Sequence, residues 1–129
     1  MEKLSTIQKK KNLNAVFAVD EKGTDGTNHI YEVQWDTDGK GTIGSQRIQF
    51  QDGTRGNPES VFGMLDADLL EIVRHRFQSI QQGESASPEI AAALARLEEA
   101  LMWLNKKAED QAEQTVMARI MSSAAIKTG

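Results

Sequence analysis

Basic and aromatic side chains recur at helical spacing in the second half of the sequence. Arg96, Trp103 and Lys107 are separated by seven and four residues, which places them on one stripe of a helix. A guanidinium group presents a planar fork to phosphate oxygens, and an indole ring presents a flat surface on which a base can stack. These residue types indicate a candidate pocket for an anionic nucleotide.

Further cations lie nearby in the sequence and complete the candidate ligand-binding set. Three consecutive residues, Arg74, His75 and Arg76, share one helical turn, and Arg55 lies in a Gly-rich bend. The candidate residues are Arg55, Arg74, His75, Phe77, Arg96, Trp103, Lys106 and Lys107. A structural explanation stays open, because charged residues beside a helical seam commonly form interhelical ion pairs, and Trp103 could belong to an interface core.

The sequence contains no convincing catalytic pattern. His29 and His75 are far apart and have no partner motif, so a surface or packing role is the better interpretation of each. The carboxylates of Asp66, Asp68 and Glu71 are typical of a capped helix start that matches the helix dipole. We therefore expect no catalytic residue and no enzymatic activity.

Patterns for metal or cofactor binding are also weak. Residues 36–39, Asp-Thr-Asp-Gly, resemble the start of a calcium loop but lack the ligand spacing and the closing Glu, so a hairpin turn is the better interpretation. Gly53 and Gly56 do not form a phosphate-loop pattern, and the chain has no cysteine. The sequence predicts no metal site and no cofactor.

Charge and hydropathy narrow the range of partners. The formal net charge is −4 and the sequence pI is about 5.2, which argues against general duplex binding because such binding depends on neutralising phosphates. No stretch approaches the length of an apolar membrane span, and the N-terminus lacks the apolar region of a signal peptide. Lys9, Lys10 and Lys11 are typical of a solvated run. We expect a soluble intracellular protein.

The first half of the chain predicts a sheet. After a polar lead-in, three segments have strand patterns: Asn14–Val19, His29–Trp35 and Thr42–Gln51. Short turns join them, with Asp36–Gly41 expected to form the second hairpin turn. The sequence therefore predicts a three-stranded antiparallel meander.

The second half predicts two helices joined by a short polar loop. The first begins at the Asp66 cap and ends before Gly83. Its expected inner stripe is Leu69, Ile72, Val73, Arg76, Phe77 and Ile80. The second begins at the Ser87 cap, with Pro88 at the first helical position. Its expected seam is Ile90, Leu94, Leu97, Leu101, Leu104 and Ala108.

The length of the second helix indicates an oligomer. A helix of about 30 residues spans roughly 45 Å, whereas a small domain is only about 30 Å across. We therefore expect an α+β fold in which a three-stranded β meander precedes a long antiparallel helical hairpin that oligomerises. The expected divisions are 1–53 for the meander, 54–65 for a connector, 66–121 for the hairpin and 122–129 for a flexible tail.

Three sequence segments together resemble the Thoeris anti-defence sponge proteins of phages and prophages. They are residues 48–53 (IQFQDG), 68–76 (DLLEIVRHR) and 97–105 (LEEALMWLN). The helical hairpin of that family is similar to that of the anti-CBASS nucleotide sponges. The resemblance covers roughly residues 12–110.

The resemblance implies a binding protein that performs no chemistry. Members of the family sequester cyclic ADP-ribose isomers made by bacterial TIR-domain enzymes, and some also bind cyclic di- or trinucleotides. They assemble through their helices into dimers and hexamers with the ligand at subunit interfaces. The implied location is the cytoplasm of the infected or lysogenic host, with neither duplex nucleic acid nor membrane as a partner.

The family pattern carries over to this chain at only some positions. Arg55 stands where relatives have an Arg after the Phe-Gln-x-Gly bend, and Lys106 and Lys107 stand where relatives often carry Arg. In the helix–helix loop, Glu84 and Ser85 replace the Pro-Phe of relatives, and Ile90 replaces an Asn. Two other function classes stay open: a helical oligomeric adaptor that binds another protein, and a hydrolase of the same signals.

Overall fold

The computed structural model describes residues 1–7, 14–35, 41 and 43–128, with side chains described through residue 122. The fold is α+β, as the sequence predicts: antiparallel strands come first and two helices follow. The chain divides into two compact units, Met1–Asp66 and Ala67–Gly129. The predicted boundaries of the meander, connector, hairpin and tail stay predictions.

The first unit contains a four-stranded antiparallel sheet rather than the predicted three-stranded meander. Its strands, in spatial order, are β1 (Glu2–Lys3), β2 (Asn14–Ala18), β3 (Ile30–Trp35) and β4 (Gly44–Gln49). The additional strand β1 pairs Glu2 with Ala18 and Lys3 with Phe17. The polar lead-in at residues 1–11 could be partly strand from its sequence, but two exposed polar residues carry no alternation that would place a strand there.

The sheet packs mainly through cross-strand pairs, since Ala18 is the one buried apolar side chain among those described. Glu32 on β3 is buried and accepts a 2.9 Å hydrogen bond from Arg47 Nε on β4. On the other face, the rings of Tyr31 and Phe50 meet edge to face with centroids 5.6 Å apart. These pairs fix the register in place of a large apolar core.

The predicted strand at Thr42–Gln51 is shorter in the structure, where β4 ends at Gln49. The Phe50 N–H still donates to the His29 carbonyl at 2.7 Å, and Phe50 also forms an isolated parallel bridge with Met64. The predicted hairpin turn at Asp36–Gly41 lies outside the described residues except for Gly41, which has a φ of 110°. The lysine run at residues 9–11 also lies outside them.

The second unit consists of two helices, α1 (Asp66–Gln81) and α2 (Pro88–Thr128). The predicted cap of α2 is confirmed: the Ile90 N–H donates to Ser87 Oγ at 3.1 Å. Residues 82–87 form the connecting loop, which begins with the Gly83 N–H bonded to the Ile80 carbonyl at 3.1 Å. The Ser87 N–H also donates to Gln81 Oε1 at 2.9 Å, so the loop is tied to the end of α1.

The two helices form an antiparallel hairpin. Arg74 on α1 contacts Glu98 on α2, and both residues stand a few turns from the loop, so α2 runs back along α1. Apart from Glu98, the half-buried residues of α2 in this region follow the predicted seam and are Ile90, Leu94, Leu97 and Leu101. Leu104 and Ala108 continue the seam in sequence but are exposed.

The face of α1 that meets α2 differs from the predicted inner stripe. Half-buried Leu70, Arg74, Phe77 and Gln81 follow one another at steps of four, three and four. In contrast Ile72, with 55% of its surface exposed, and Val73 and Arg76 lie outside this face. Of the predicted stripe, Leu69, Phe77 and Ile80 are half-buried. The prediction was wrong for the other three residues, because α1 has apolar residues on two sides and periodicity alone does not choose between them.

Helix α2 is much longer than α1. Its 41 residues span about 60 Å, whereas the 16 residues of α1 span about 24 Å. The backbone is helical to Thr128, through most of the predicted tail at 122–129. A helical backbone does not test flexibility, so the flexible tail stays a prediction. No helix in the described part of the chain combines the length and apolarity that a membrane span requires.

Candidate functional site

Arg55 lies at the tip of a closed loop in the first unit. Asp52 and Val61 exchange two backbone hydrogen bonds of 2.9 Å and close the base of this loop. The Asn57 N–H bonds to the Thr54 carbonyl at 3.2 Å, which puts Arg55 in the middle of a tight turn. Its side chain is exposed and makes no hydrogen bond or ion pair with any described residue. This guanidinium is free to bind an anion.

Arg74 is already engaged within the hairpin. Its Nε donates to Glu98 Oε2 at 2.8 Å, and its Nη1 donates to Glu71 Oε2 at 3.3 Å. The hydrogen bonds to Glu98 and Glu71 raise the pKa of Arg74 above its usual value. Two carboxylates therefore compensate this cation, and its main role in the structure is to join α1 to α2.

The two neighbouring candidates on α1 have different surroundings. Phe77 stands three residues after Arg74, on the side of α1 that faces α2, and is half-buried. His75 points away from that side and is exposed, and its ring makes no hydrogen bond within the described part of the chain. Phe77 therefore packs in the hairpin, whereas His75 is accessible to a ligand.

Arg96, Trp103 and Lys107 form an exposed stripe on α2, which we call the basic–aromatic stripe. Arg96 and Trp103 have exposed fractions of 83% and 64%. The Arg96 guanidinium has one neighbour, Glu99, at 3.5 Å, and Lys107 pairs with no described residue. The seven- and four-residue spacing of the stripe therefore gives one continuous accessible surface.

Lys106 lies beside this stripe and pairs along the helix. Its Nζ is 2.9 Å from Asp110 Oδ2, one turn further on, and both side chains are exposed. Exposed pairs of this kind are weak, so the ammonium group can exchange Asp110 for a stronger anion at little cost. Four of the eight candidates lie on α2: Arg96, Trp103, Lys106 and Lys107. Three others lie on α1: Arg74, His75 and Phe77.

Sequence reasoning missed a polar cluster around His29. The ring is buried, with 5% of the residue exposed, and its Nε2 lies 2.9 Å from Asp25 Oδ2 and 3.6 Å from Asp52 Oδ1. Asp20 accepts hydrogen bonds from the His29 and Ile30 N–H groups at 3.0 and 3.1 Å. Asp52 is far from Asp20 and Asp25 in sequence, so spacing gave no signal that all three carboxylates surround one ring.

Two carboxyl groups of this cluster, those of Asp20 and Asp25, have pKa values below their ordinary range. Partial burial raises the pKa of Asp20, but the hydrogen bonds from the Ile30 and His29 N–H groups outweigh burial, and the net pKa is lowered. Hydrogen bonds from the Thr27 N–H and hydroxyl group lower the pKa of Asp25, and His29 contributes a smaller part. Both carboxylates stabilise the turn between β2 and β3.

The same cluster is the nearest approach to a catalytic arrangement in the described residues, and its geometry is unsuitable for catalysis. Thr27 Oγ1 lies 3.4 Å from His29 Nε2 but donates its hydrogen bond to Asp25 Oδ1 at 2.9 Å. His29 Nε2 is already bound to Asp25, so it does not activate the hydroxyl group as a base. Among the residues that the structure describes, no group of three or more His, Cys, Asp or Glu side chains is arranged so that it could hold a metal ion.

A shallow depression of about 400 Å³ lies beside β1 and the end of β2. Its lining includes Glu2, Asp20 and Glu21 and a single cation, Lys22. This acidic excess disfavours a phosphate-bearing ligand. The accessible cations of α2 are therefore better placed to bind an anion than this depression.

Comparison with known proteins supports the interpretation of the helices. Residues 42–109 match the family model described as Acb2/Tad1, hairpin domain. The chain is also 41% identical over 54 residues to a protein named Thoeris anti-defense 1 from Bacillus phage SBSphiJ7. That alignment covers 42% of this chain and 38% of the relative, so the chain spans well under half of the relative's length.

These matches confirm the resemblance that the motifs between Ile48 and Asn105 indicated. The family match begins at β4 and continues through α1 and the first half of α2, and it includes all eight candidate ligand-binding residues. It spans more than half of the sequence. This chain belongs to the Acb2/Tad1 hairpin domain family.

Proposed function

We propose that this protein is a phage or prophage anti-defence protein that sequesters a cyclic ADP-ribose isomer in the cytoplasm of the bacterial host. The observation that carries the proposal is the match of residues 42–109 to the Acb2/Tad1 hairpin domain, together with 41% identity over 54 residues to a protein named Thoeris anti-defense 1. Holding the signal away from its effector would prevent activation of the defence.

The basic–aromatic stripe is the proposed centre of ligand binding. A cyclic ADP-ribose isomer carries two phosphates and an adenine, which require cations and a stacking surface. Arg96 and Lys107 supply the cations, and the exposed Trp103 ring supplies the surface. Lys106 and His75 are proposed as additional phosphate contacts, whereas Arg74 and Phe77 hold the hairpin on which these groups stand. Arg55 is proposed as a phosphate contact in its own right.

The proposed mechanism is capture without cleavage. Turnover would need a nucleophile with a base, a metal cluster or a phosphate-activating loop, and the described residues provide none of these arrangements. A sequestering protein needs slow release, since the captured ligand must survive many encounters with the effector. The rate of ligand release is therefore the property on which the function depends.

Self-association is part of the proposal. With Ala18 as the one buried apolar residue among those described, a lone chain would have very little core. Ile72 and Val73 on α1 and Leu104 on α2 are apolar side chains that remain exposed. Burying them between copies in a dimer or hexamer would supply the missing apolar contacts.

Cyclic di- and trinucleotides are proposed as a second ligand class, because they present the same phosphate and base groups to the same residue types. Duplex nucleic acid and membranes are not proposed as partners. The formal net charge of −4 opposes the broad phosphate neutralisation that duplex binding requires.

A helical adaptor that binds another protein is the alternative function. It is favoured by the exposed apolar residues Val61 and Phe62, which follow the Arg55 loop and have exposed fractions of 47% and 66%. Exposed apolar groups of this size commonly mark protein-binding surfaces. An adaptor would need no nucleotide, so a ligand panel separates it from a sponge.

The test begins with thermal shifts for cyclic ADP-ribose isomers and for cyclic di- and trinucleotides. A shift indicates binding to the folded state. The protein is then mixed with the shifting ligand, washed and heat-denatured, and the released material is analysed by chromatography and in an effector assay. Intact, active ligand supports the sponge, whereas a cleaved product would establish an enzyme. Absence of a shift across the panel would favour the adaptor.

A further inference from the structure

One side chain ties together the two ends of the Arg55 loop, which comprises residues 52–61. The Gln51 amide donates from Nε2 to the Gly53 carbonyl at 3.0 Å, and its Oε1 accepts the Gly63 N–H at 3.1 Å. Gly53 lies on the segment that enters the loop, and Gly63 lies on the segment that leaves it. The Gln51 side chain therefore bridges both segments beside the backbone pair that closes the base of the loop.

The two hydrogen bonds determine the orientation of the Gln51 amide. A backbone N–H only donates and a carbonyl oxygen only accepts, so Oε1 must face Gly63 and Nε2 must face Gly53. The side chain is half-buried, and its own backbone N–H donates to the Met64 carbonyl at 2.9 Å. Gln51 is thus held by its backbone on one segment and reaches the other with its side chain.

Both segments carry a glycine where the amide meets them. Gly53 has a φ of 89°, a conformation that residues with a side chain rarely adopt, and a Cβ there would collide with Ser60 Oγ. A Cβ at Gly63 would collide with the Gln49 carbonyl oxygen. The segments approach one another this closely only because neither glycine has a side chain.

The bond to Gly53 bears directly on Arg55. The Gly53 carbonyl belongs to the peptide unit that leads into the turn with Arg55 at its centre. Glycine changes conformation at little steric cost, so Gly53 by itself does not prevent that peptide unit from rotating, whereas the bond from Gln51 opposes the rotation. The Arg55 side chain contacts no partner in the described part of the chain, so the backbone sets the direction of its guanidinium.

We propose that Gln51 is a positioning residue that holds the Arg55 loop in the shape that presents the guanidinium to a phosphate. The inference rests on the proposed function, in which Arg55 is a phosphate contact. Gln51 acts through the loop rather than on the ligand, because both ends of its amide are engaged by the loop. A loop held in its binding shape before the ligand arrives gives higher affinity, since binding does not have to order it.

Trypsin tests the loop in the full chain without a ligand. Cleavage after Arg55 requires the turn to open, so its rate follows the population of the open form. Gln51→Met and Gln51→Glu both lose the donor to Gly53, and each should increase cleavage after Arg55 at least about fivefold by mass spectrometry. Gln46→Met, which removes an exposed amide from β4, is the matched control and should behave as wild type.

Cleavage after Arg47 on β4 reports whether the sheet itself remains folded. It should be unchanged in the Gln51 variants. Equal acceleration after Arg47 and Arg55 would show that Gln51 stabilises the whole sheet rather than the loop, and would overturn the proposal. A Gln51→Glu protein that matches wild type while Gln51→Met does not would assign the effect to the retained bond with Gly63 and would overturn it as well.

A double-variant cycle tests whether Gln51 acts through Arg55. With the ligand from the thermal-shift panel, Gln51→Met should raise Kd about 5- to 10-fold in the wild-type background. In the Arg55→Ala background the same substitution should raise Kd less than about twofold, because the group that it positions is absent. An unchanged Kd for Gln51→Met, or an equal rise in both backgrounds, would contradict the positioning role.

The two measurements separate this proposal from the sponge function. If the wild-type protein binds no ligand of the panel, the sponge function fails, and the trypsin experiment alone decides whether Gln51 holds the loop. If the wild-type protein binds a ligand and the Gln51 variants match it in cleavage and in Kd, the sponge function stands and the positioning role is excluded.

Discussion

Arg74 Nε donates a 2.8 Å hydrogen bond to Glu98 Oε2 and thereby sets the register of α1 against α2. The same guanidinium reaches Glu71 within its own helix. One side chain thus links three positions of the hairpin, and it does so in the part of the chain that matches the hairpin family. The contact gives a candidate ligand residue a structural role.

Replacing Arg74 should weaken the hairpin. We expect Arg74→Ala and Glu98→Ala each to lower the melting temperature slightly. Because both substitutions remove the same contact, the double variant should melt no lower than the less stable of the two single variants. Arg74→Lys serves as the control: it keeps the charge but lacks the planar fork that reaches both carboxylates. Additive losses in the double variant would show that the two side chains act independently.

Replacing Trp103 should weaken ligand binding. Stacking of a base on an aromatic ring contributes about 1–3 kcal/mol, so Trp103→Ala is expected to raise the ligand Kd about 5- to 150-fold. Met102→Ala is the matched control, since Met102 is adjacent, similarly exposed and unable to stack. Calorimetry with the ligand from the thermal-shift panel measures both. Equal losses for the two variants would remove Trp103 from the stacking role.

Arg55→Ala should weaken binding without changing stability. The guanidinium contacts no described partner, so its removal leaves the loop closed by Asp52 and Val61 intact. Loss of a charge-assisted contact to phosphate costs about 1.5–3 kcal/mol, which is roughly a 10- to 150-fold rise in Kd. Lys22→Ala, also on an exposed turn, is the control. An unchanged Kd for Arg55→Ala would exclude it from the site.

Ile72→Asp should dissociate the proposed oligomer while leaving the single chain folded. Ile72 is exposed in the chain by itself, so a carboxylate there is solvated in a monomer but would be buried between copies. Light scattering should show a smaller species with unchanged helical circular dichroism. Ala95→Asp, at an exposed position of α2, is expected to keep the oligomer. An oligomer unaffected by Ile72→Asp would place the interface elsewhere.

Stability of the first unit should fall in acid. The pKa values of Asp20 and Asp25 are lowered in the folded state, so their stabilising contribution is complete above the unfolded value of 3.8 and is lost as the pH falls through the lower folded values. Denaturant titrations at a series of pH values measure this loss. Asp20→Asn should show a smaller loss than wild type over the acid range. If the free energy of unfolding fell equally with pH in the two proteins, the stabilising contribution assigned to Asp20 would be contradicted.

The sequence by itself determined the local structure of the helical half. Ser87 and Pro88 predicted the start of α2, Gly83 marked the end of α1, and the steps of four and three from Ile90 to Leu101 identified the face that packs in the hairpin. These features depend on interactions between residues that are close in sequence. Residue type and spacing can therefore predict them. The motifs on these helices also indicated the family.

Tertiary structure decided what depends on distant partners. Strand β1 exists through backbone pairing with β2. The cluster around His29 gathers two carboxylates from the turn between β2 and β3 and a third, Asp52, from the segment after β4. Helix α1 meets α2 through the face that contains Leu70 and Arg74 rather than Ile72. An amphipathic pattern predicts that the apolar face of a helix is covered, but it does not identify the element that covers it. The choice among partners depends on contacts between residues far apart in sequence, and for α1 the Arg74–Glu98 pair marks the face that was chosen.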